Sequence, residues 1–299
     1  MTSDDDLDDV MSERLQLMAL GYRLLGSLAD AEDAVQETYA RWYGLTEEQR
    51  SAIDVPGAWL MKVASRVCLD MLGSARARRE RYVGEWVPEP LPDDTVADPT
   101  DPADRVTLDE SISMAFLVVL DAMTPAERVA FVLHDVFRYP FTEVAEIVGR
   151  TPAACRQLAS SARHRVRESR AQAVPAAADA GVVSDFRRAW AAKDINALIG
   201  ILDPDVVAVG DGGGVVTAEP HPLHGAELVA RFFAGVADRL AEMSVEERLV
   251  NGRPGLVFEK DGAPVNVMAF DVAGGRITHI WAVLNPEKLR PWGGPAAPR

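Results

Sequence analysis

Phe141-Thr142-Glu143-Val144-Ala145-Glu146-Ile147-Val148-Gly149, then Arg150-Thr151-Pro152, then a run from Ala153 to Arg167, is the stretch whose pattern decides the class of this chain. The first block spaces Val144, Ile147 and Val148 as one face of a short amphipathic helix does. Arg150-Thr151-Pro152 reads as a turn that starts a second helix. Thr151 suits the N-cap, and Pro152 suits the first helical position, where a missing N–H costs nothing. Two short helices around such a turn make a helix-turn-helix. On the second helix Arg156, Gln157, Ser160, Arg163 and Arg167 recur at steps of three and four, so one face offers base-edge and phosphate-binding groups together. The competing reading of this segment is an ordinary helical hairpin with a solvated basic face.

Outward from this stretch, charge is unevenly distributed. The chain of 299 residues carries a formal net charge of −15, which by itself argues against nucleic acid, because DNA binding depends on neutralising phosphates. Yet Lys62, Arg66, Arg76, Arg78, Arg79 and Arg81 cluster in one stretch, and Arg150, Arg156, Arg163, Arg165, Arg167 and Arg170 in another. Between them Glu85, Glu89, Asp93, Asp94, Asp98, Asp101, Asp104, Asp109 and Glu110 form an acidic strap interleaved with Pro88, Pro90, Pro92, Pro99 and Pro102. Proline cannot continue a helix and like charges repel, so the strap reads as an extended linker.

Helical periodicity runs from Val10 to about Ala77, and again from near Leu108 to about Arg170. Beyond an Ala/Pro linker at 171–180 the pattern changes. Helices at Val182–Leu202 and Ala226–Arg239 accompany strand-like runs at Val206–Val209, Arg248–Val250, Gly255–Glu259, Val265–Asp271 and Arg276–Leu284, with Lys260-Asp261-Gly262 and Gly274-Gly275 at hairpin positions. The fold expected is multidomain: two all-α domains, then an α+β domain of curved antiparallel sheet. The boundaries expected are 8–82, 83–107 for the linker, 108–170, and 181–291. Residues beyond Leu289, with Pro291, Trp292, Pro295 and Pro298, read as a poorly ordered tail. Cys68 and Cys155 show neither C-x-x-C nor Cys/His spacing, and no signal peptide or membrane-length apolar run appears, so a cytosolic chain without disulfide, metal or membrane contact is expected.

Asp30-Ala31-Glu32-Asp33-Ala34-Val35-Gln36-Glu37-Thr38, Pro56-Gly57-Ala58-Trp59-Leu60 and Arg66-Val67-Cys68-Leu69-Asp70 together resemble region 2 of extracytoplasmic-function (ECF) sigma factors of RNA polymerase, and the helix-turn-helix resembles their region 4. Trp86-Val87-Pro88-Glu89-Pro90-Leu91, Asp211-Gly212-Gly213-Gly214 and Asn285-Pro286-Glu287-Lys288-Leu289 resemble signatures of the SigJ-type subgroup, which carries a C-terminal SnoaL-like (NTF2-like) cone. The resemblance implies a transcription initiation factor that binds core RNA polymerase, through the β′ clamp helices and the β flap, and promoter DNA. It assigns Asp30, Asp33, Gln36 and Glu37 to core binding, and Lys62, Arg66, Asp70, Arg76, Arg78 and Arg79 to the −10 element. Thr151, Arg156, Gln157, Ser160, Arg163 and Arg167 fall to the −35 element. Control in cis falls to Trp86, Pro88, Glu89, Asp211, Gly212, Gly213, Gly214, Asn285, Pro286 and Lys288. Arg66 and Val67 stand where many relatives place an Asn near Asp70, and Leu158 and Ser161 where several place basic residues, so −10 base capture and −35 affinity both depart from the family pattern.

The alternative is a small-molecule cyclase or isomerase whose helical part is a docking module, with Asp211, His221, His224 and His279 as acid-base candidates in an apolar cavity. The two basic patches separated by an acidic strap favour a DNA-reading protein without catalytic residues, metal or cofactor. The expected role of 211–214 is a flexible docking loop. The strap is expected to dock on the cone through Trp86 as the large apolar anchor, and the cone cavity is open to a small ligand.

Overall fold

Gly26, at φ 72°, stops the first helical run, and Ser27 starts the next by accepting the Asp30 N–H on its hydroxyl. The computed structural model describes residues 4–79, 82–92, 112–170 and 176–293, with the side chains of 4–12, 75–79, 169–170 and 176–178 outside that description. The described residues group into two compact units: 4–79 with 119–168, and 82–92 with 112–118, 169–170 and 176–293.

The first unit is all-helical: α1 (Asp4–Leu25), α2 (Leu28–Tyr43), α3 (Glu47–Ser51) and α4 (Pro56–Arg79) form its first part. The apolar stripe of these helices (Leu17, Leu20, Leu24, Val35, Leu60, Ala64, Cys68) is buried, which is why this region reads as one helical periodicity despite its breaks. Burial pushes the Cys68 thiol up to about 12, so it packs as a small hydrophobe; Cys155 is likewise a buried, free thiol. α5 (Met114–Asp121) begins in the second unit and runs into the first. α6 (Pro125–Phe131) opens on a Thr124/Glu127 capping box and continues as a π-turn over Val132–Val136. Arg128, only 4% exposed, donates to the Leu24 carbonyl at 2.8 Å and pairs with Asp121 at 2.8 Å, so one guanidinium binds α6 to the C-terminal end of α1. α7 (Phe141–Val148) and α8 (Pro152–Arg170) follow, joined by a turn in which Gly149 is left-handed and the Thr151 hydroxyl accepts the Ala154 N–H.

In the second unit α9 (Ala176–Ala191) and α10 (Ile195–Ile201) replace the single helix expected over Val182–Leu202. Lys193 takes a φ of 54° and Asp194 caps α10 through the Ala197 N–H, a local stop that apolar periodicity does not register. Leu202 is then the first residue of β1 (Leu202–Asp211), followed by β2 (Leu223–His224), α11 (Ala226–Val236), β3 (Ser244–Val250), β4 (Arg253–Lys260), β5 (Ala263–Ala273) and β6 (Arg276–Val283). The six-stranded sheet has the order β2-β1-β6-β5-β4-β3, with β1 parallel to β6 and the other pairs antiparallel. Asn251-Gly252, Asp261-Gly262 and Gly274-Gly275 turn its three hairpins with both central residues at positive φ, the geometry that matches strand twist. Irregularities between Phe258 and Glu259 and between Asp271 and Val272 are the bulges that bend such a sheet. The α+β cone is therefore present, with one parallel pair inside a sheet expected to be antiparallel.

Strand alternation gives this sheet two buried faces. Leu256, Phe258, Met268, Phe270 and Ile280 pack with Phe186, Trp190 and Phe233 of the helices. Val257, Val267, Ala269, Trp281 and Val283 face the other way and pack with Val87, Met114, Leu289 and Trp292. The second cluster is where the strap lies.

Candidate functional site

Asp211 ends β1 with no exposed surface, and its carboxylate is fully partnered. One oxygen accepts the Tyr82 hydroxyl at 2.6 Å and the Gly213 N–H at 3.0 Å; the other accepts the Val87 N–H at 3.0 Å and the Lys288 ammonium at 2.7 Å. Its backbone carbonyl accepts the Leu284 and Asn285 N–H groups. A buried carboxylate needs this neutralisation, because leaving it unpaired costs several kcal/mol. Lys288 is itself 7% exposed, donates to the Val87 carbonyl as well, and lies over the Trp86 ring at 4.3 Å and the Tyr82 ring at 5.1 Å. Burial, and then the hydrogen bond to Asp211, push the Tyr82 phenol well above its usual range, so it remains a proton donor.

The 211–214 segment is a built turn, contrary to the expected flexible loop. Gly212 is buried and its carbonyl accepts the Val215 and Val216 N–H groups. A methyl group on Gly212 would collide with the Val216 carbonyl, and one on left-handed Gly213 with the Asn285 carboxamide. Gly214, also left-handed, is exposed beside Val83. Asn285 is buried, donates to the Tyr82 hydroxyl at 2.8 Å and accepts the Glu287 N–H, which shapes the turn that delivers Lys288; Pro286 is exposed on its outside.

Along the strap Val87, Pro88, Glu89, Pro90 and Leu91 are all buried, whereas Trp86 is half-buried. Val87 packs in the apolar cluster on the sheet and Leu91 is fully buried, whereas the expected anchor, Trp86, is only half-buried and forms an aromatic wall over Lys288. At its far end the strap pairs with the β3–β4 turn. The Asn251 N–H donates to the Leu91 carbonyl at 2.8 Å, its side-chain oxygen accepts the Leu91 N–H at 3.0 Å, and its amide donates to the Ile112 carbonyl at 2.8 Å. One side chain therefore fixes residues 91 and 112, on either side of a segment outside the described residues. Trp292, expected in a loose tail, is 6% exposed, donates to the Pro90 carbonyl at 2.8 Å and lies under the Arg248 guanidinium at 5.2 Å. Sequence reasoning missed Tyr82, Asn251 and Trp292. Asn251-Gly252 is a strong turn signal, but nothing in it announces that the Asn side chain has a distant backbone to hold.

In the helical unit Asp33, Gln36 and Glu37 are exposed along α2 with Asp30 half-exposed, and Glu37 pairs with Arg41 one turn on. On α4, Arg66 and Asp70 are exposed and Lys62 half-exposed. Lys62 meets the Glu146 carboxylate at 2.5 Å and Arg66 donates to the Glu146 carbonyl at 2.9 Å, so α7 occupies two of these cations. The side chains of Arg76, Arg78 and Arg79, and the whole of Arg81, lie outside the described residues. On α8, Thr151, Arg156, Gln157, Ser160 and Arg167 are exposed. Arg156 stacks over the Phe141 ring at 5.7 Å, and Arg163 is tied to Asp135 at 2.6 Å. Ser161 donates to Glu127, and Leu158 is half-buried, so neither departure from the basic pattern adds a cation to the face.

The acid-base candidates do not converge. Asp211 and His279 project from the strap side of the sheet, with His279 3.9 Å from Asp271, and His221 and His224 lie apart from the cone cavity. Burial holds the His279 imidazole below its usual range. Among the described residues no cluster of three or more His, Cys, Asp or Glu side chains is placed to hold a metal, and no helix is long and apolar enough to cross a membrane.

Residues 9–78 match the Sigma-70 region 2 family and residues 113–166 the Sigma-70, region 4 family. The chain is 39% identical over 289 residues to the ECF RNA polymerase sigma factor SigJ of Mycobacterium tuberculosis, spanning 92% of this chain and 90% of that protein. It is 35% identical over 284 residues to the probable ECF RNA polymerase sigma factor SigI of the same organism, spanning 94% and 93%. The crystal structure of M. tuberculosis SigJ matches with a TM-score of 0.74 at 38% identity, covering 94% of this chain and 97% of that one.

Replacing Asp211 with Asn keeps the shape of the turn but leaves the Lys288 ammonium buried without its counter-charge, a change that costs about 3–5 kcal/mol at buried pairs. The Val87 amide is expected to exchange with solvent deuterium about a hundredfold faster or more in Asp211→Asn, since its protection reports local opening. Exchange within threefold of the parent would show that the pair does not hold the strap.

Proposed function

Since the chain belongs to the extracytoplasmic-function family of RNA polymerase sigma factors, we propose that its cone governs promoter recognition in cis by holding the linker between region 2 and region 4. As a sigma factor it binds core polymerase and promoter DNA in transcription initiation. The observation that carries the cis-acting part is the Asp211–Lys288 pair, buried against the strap and contributed wholly by the cone. The linker is the covalent tether of the two DNA-reading regions, so gripping it at Val87, Leu91 and Ile112 restricts the separation they can reach. Two conformations, gripped and released, would then differ in promoter competence, with a coupling of about 1–3 kcal/mol.

Within this reading α2 presents Asp30, Asp33, Gln36 and Glu37 to the β′ clamp helices, and region 4 meets the β flap. The α4 face with Lys62, Arg66, Asp70, Arg76, Arg78 and Arg79 meets the −10 element. Lys62 and Arg66 exchange Glu146 for phosphate, which is favourable because exposed ion pairs hold weakly. Thr151, Ser160, Arg163 and Arg167 hold phosphates of the −35 element, and Arg156 and Gln157 read base edges. Trp86, Pro88, Glu89, Gly212, Gly213, Gly214, Asn285 and Pro286 complete the strap grip.

Asp33→Arg with Glu37→Arg is expected to abolish pull-down of core polymerase while leaving the helical unit folded by circular dichroism, because both side chains are exposed. A folded double variant that still captures core polymerase would refute the α2 assignment. With holoenzyme, Arg156→Ala should reduce discrimination between matched and mismatched −35 elements by about 1–3 kcal/mol, whereas Arg167→Ala should weaken both alike. Equal losses for the two variants on both elements would mean that the recognition face is set wrongly.

A further inference from the structure

On the face of the sheet opposite the strap, the cone encloses a cavity of about 400 Å³ that no part of the strap grip uses. Its wall is aromatic: Trp190, Phe232, Phe233 and Phe258 line it, with Trp190 edge-on to Phe233 at 4.9 Å and tilted against Phe258 at 5.5 Å. A volume of this size lies in the range of small-molecule sites, and rings of this kind favour a flat apolar occupant. Exposed Thr217 and Arg239 among the lining residues mark its mouth.

Two polar atoms break the apolar lining. The Trp190 indole N–H and the Asn266 side-chain oxygen are buried, and neither finds a hydrogen-bond partner among the described residues. Trp190 is 5% exposed, so its donor has no ready access to solvent. Buried polar atoms are usually satisfied, and an unsatisfied donor and acceptor among the residues that line one cavity invite a group that supplies both roles. A hydroxyl does so: it donates to the amide oxygen and accepts from an N–H. A carboxylate would leave Asn266 Oδ1 facing another acceptor, and an ammonium would leave the indole N–H facing another donor. We propose that the cone cavity binds a neutral, flat, hydroxyl-bearing apolar molecule, whose hydroxyl donates to Asn266 and whose ring packs against Trp190, Phe233 and Phe258.

This site is separate from the strap grip, because strand alternation puts Met268 and Ile280 on its side and Val267 and Trp281 on the other. The proposal therefore stands or falls independently of control in cis. The test uses the full chain with three probes of one shape, 2-naphthol, 2-methoxynaphthalene and naphthalene, followed by fluorescence of the naphthyl ring. 2-Naphthol is expected to bind one to one and at least tenfold tighter than its methyl ether or naphthalene, and Asn266→Leu should erase that preference while retaining naphthalene. Equal affinity of 2-naphthol and the ether for the parent protein, an absence of saturable binding, or an undiminished preference in folded Asn266→Leu would overturn it. Should Asn266→Leu fail to fold, the comparison of the three probes on the parent protein decides alone.

Discussion

A carboxylate with no exposed surface cannot be left uncompensated, and all but one of the groups that compensate Asp211 come from distant parts of the chain. Lys288 arrives from the turn after β6, Tyr82 and the Val87 N–H from the strap, and the Gly213 N–H from its own turn. The requirement orders three separate segments at once. Gly212 and Gly213 have no side chain because the Val216 carbonyl and the Asn285 carboxamide fill that space, and Asn285 is turned so that Lys288 reaches inward. Asn251 does the same service for the other end of the linker with a neutral side chain, whose carbonyl and amide match one backbone N–H and one backbone carbonyl. A charge pair is intolerant of partial release, whereas an amide can exchange its partners for water at modest cost, so Asp211 is the position at which the grip is all-or-none.

Charge distribution supports the same arrangement. The net charge of −15 would repel DNA if it were spread evenly, but α8 keeps Arg156 and Arg167 exposed, while Glu89 of the acidic strap is buried in the cone unit. Glu146 sits on Lys62 and Arg66 within the helical unit, and the pair holds the Glu146 carboxyl below its usual range. These contacts are exposed, and exposed ion pairs hold weakly. The Arg128 guanidinium of the same unit, bonded to Leu24 and Asp121, is buried and does not exchange so readily.

Much of the fold could be read from local pattern. The Thr151-Pro152 start of α8, the hairpins at Asp261-Gly262 and Gly274-Gly275, and the change from helix to mixed α+β after the second linker all rest on residues that act within a few positions of themselves. What could not be read depends on tertiary register. Size marks Trp86 as the anchor in the sequence, but the strap buries every position from Val87 to Leu91 and leaves Trp86 half-buried, and Val87 is the strap residue that packs in the apolar cluster on the sheet. The break at Lys193-Asp194 left no mark on apolar spacing, and the parallel β1–β6 pair has no local signature at all. Trp292 lies among prolines and glycines that read as a loose end, yet its indole N–H finds the Pro90 carbonyl more than two hundred positions away in sequence. Of the strap grip, the glycines, Asp211 and Lys288 were visible as motifs; the chemistry joining them was not.

The claim on which the rest depends is that the cone's hold on the linker sets promoter competence. Multi-round run-off transcription with core polymerase, comparing the parent chain with Lys288→Met, tests it most directly, because Lys288 touches the strap and lies in neither DNA-reading region. Removing the ammonium leaves Asp211 buried beside an apolar side chain and should release the strap, so the rate is expected to change by about 5- to 150-fold, the range of a 1–3 kcal/mol coupling. An unchanged rate from a variant whose Val87 amide has lost its protection would contradict it.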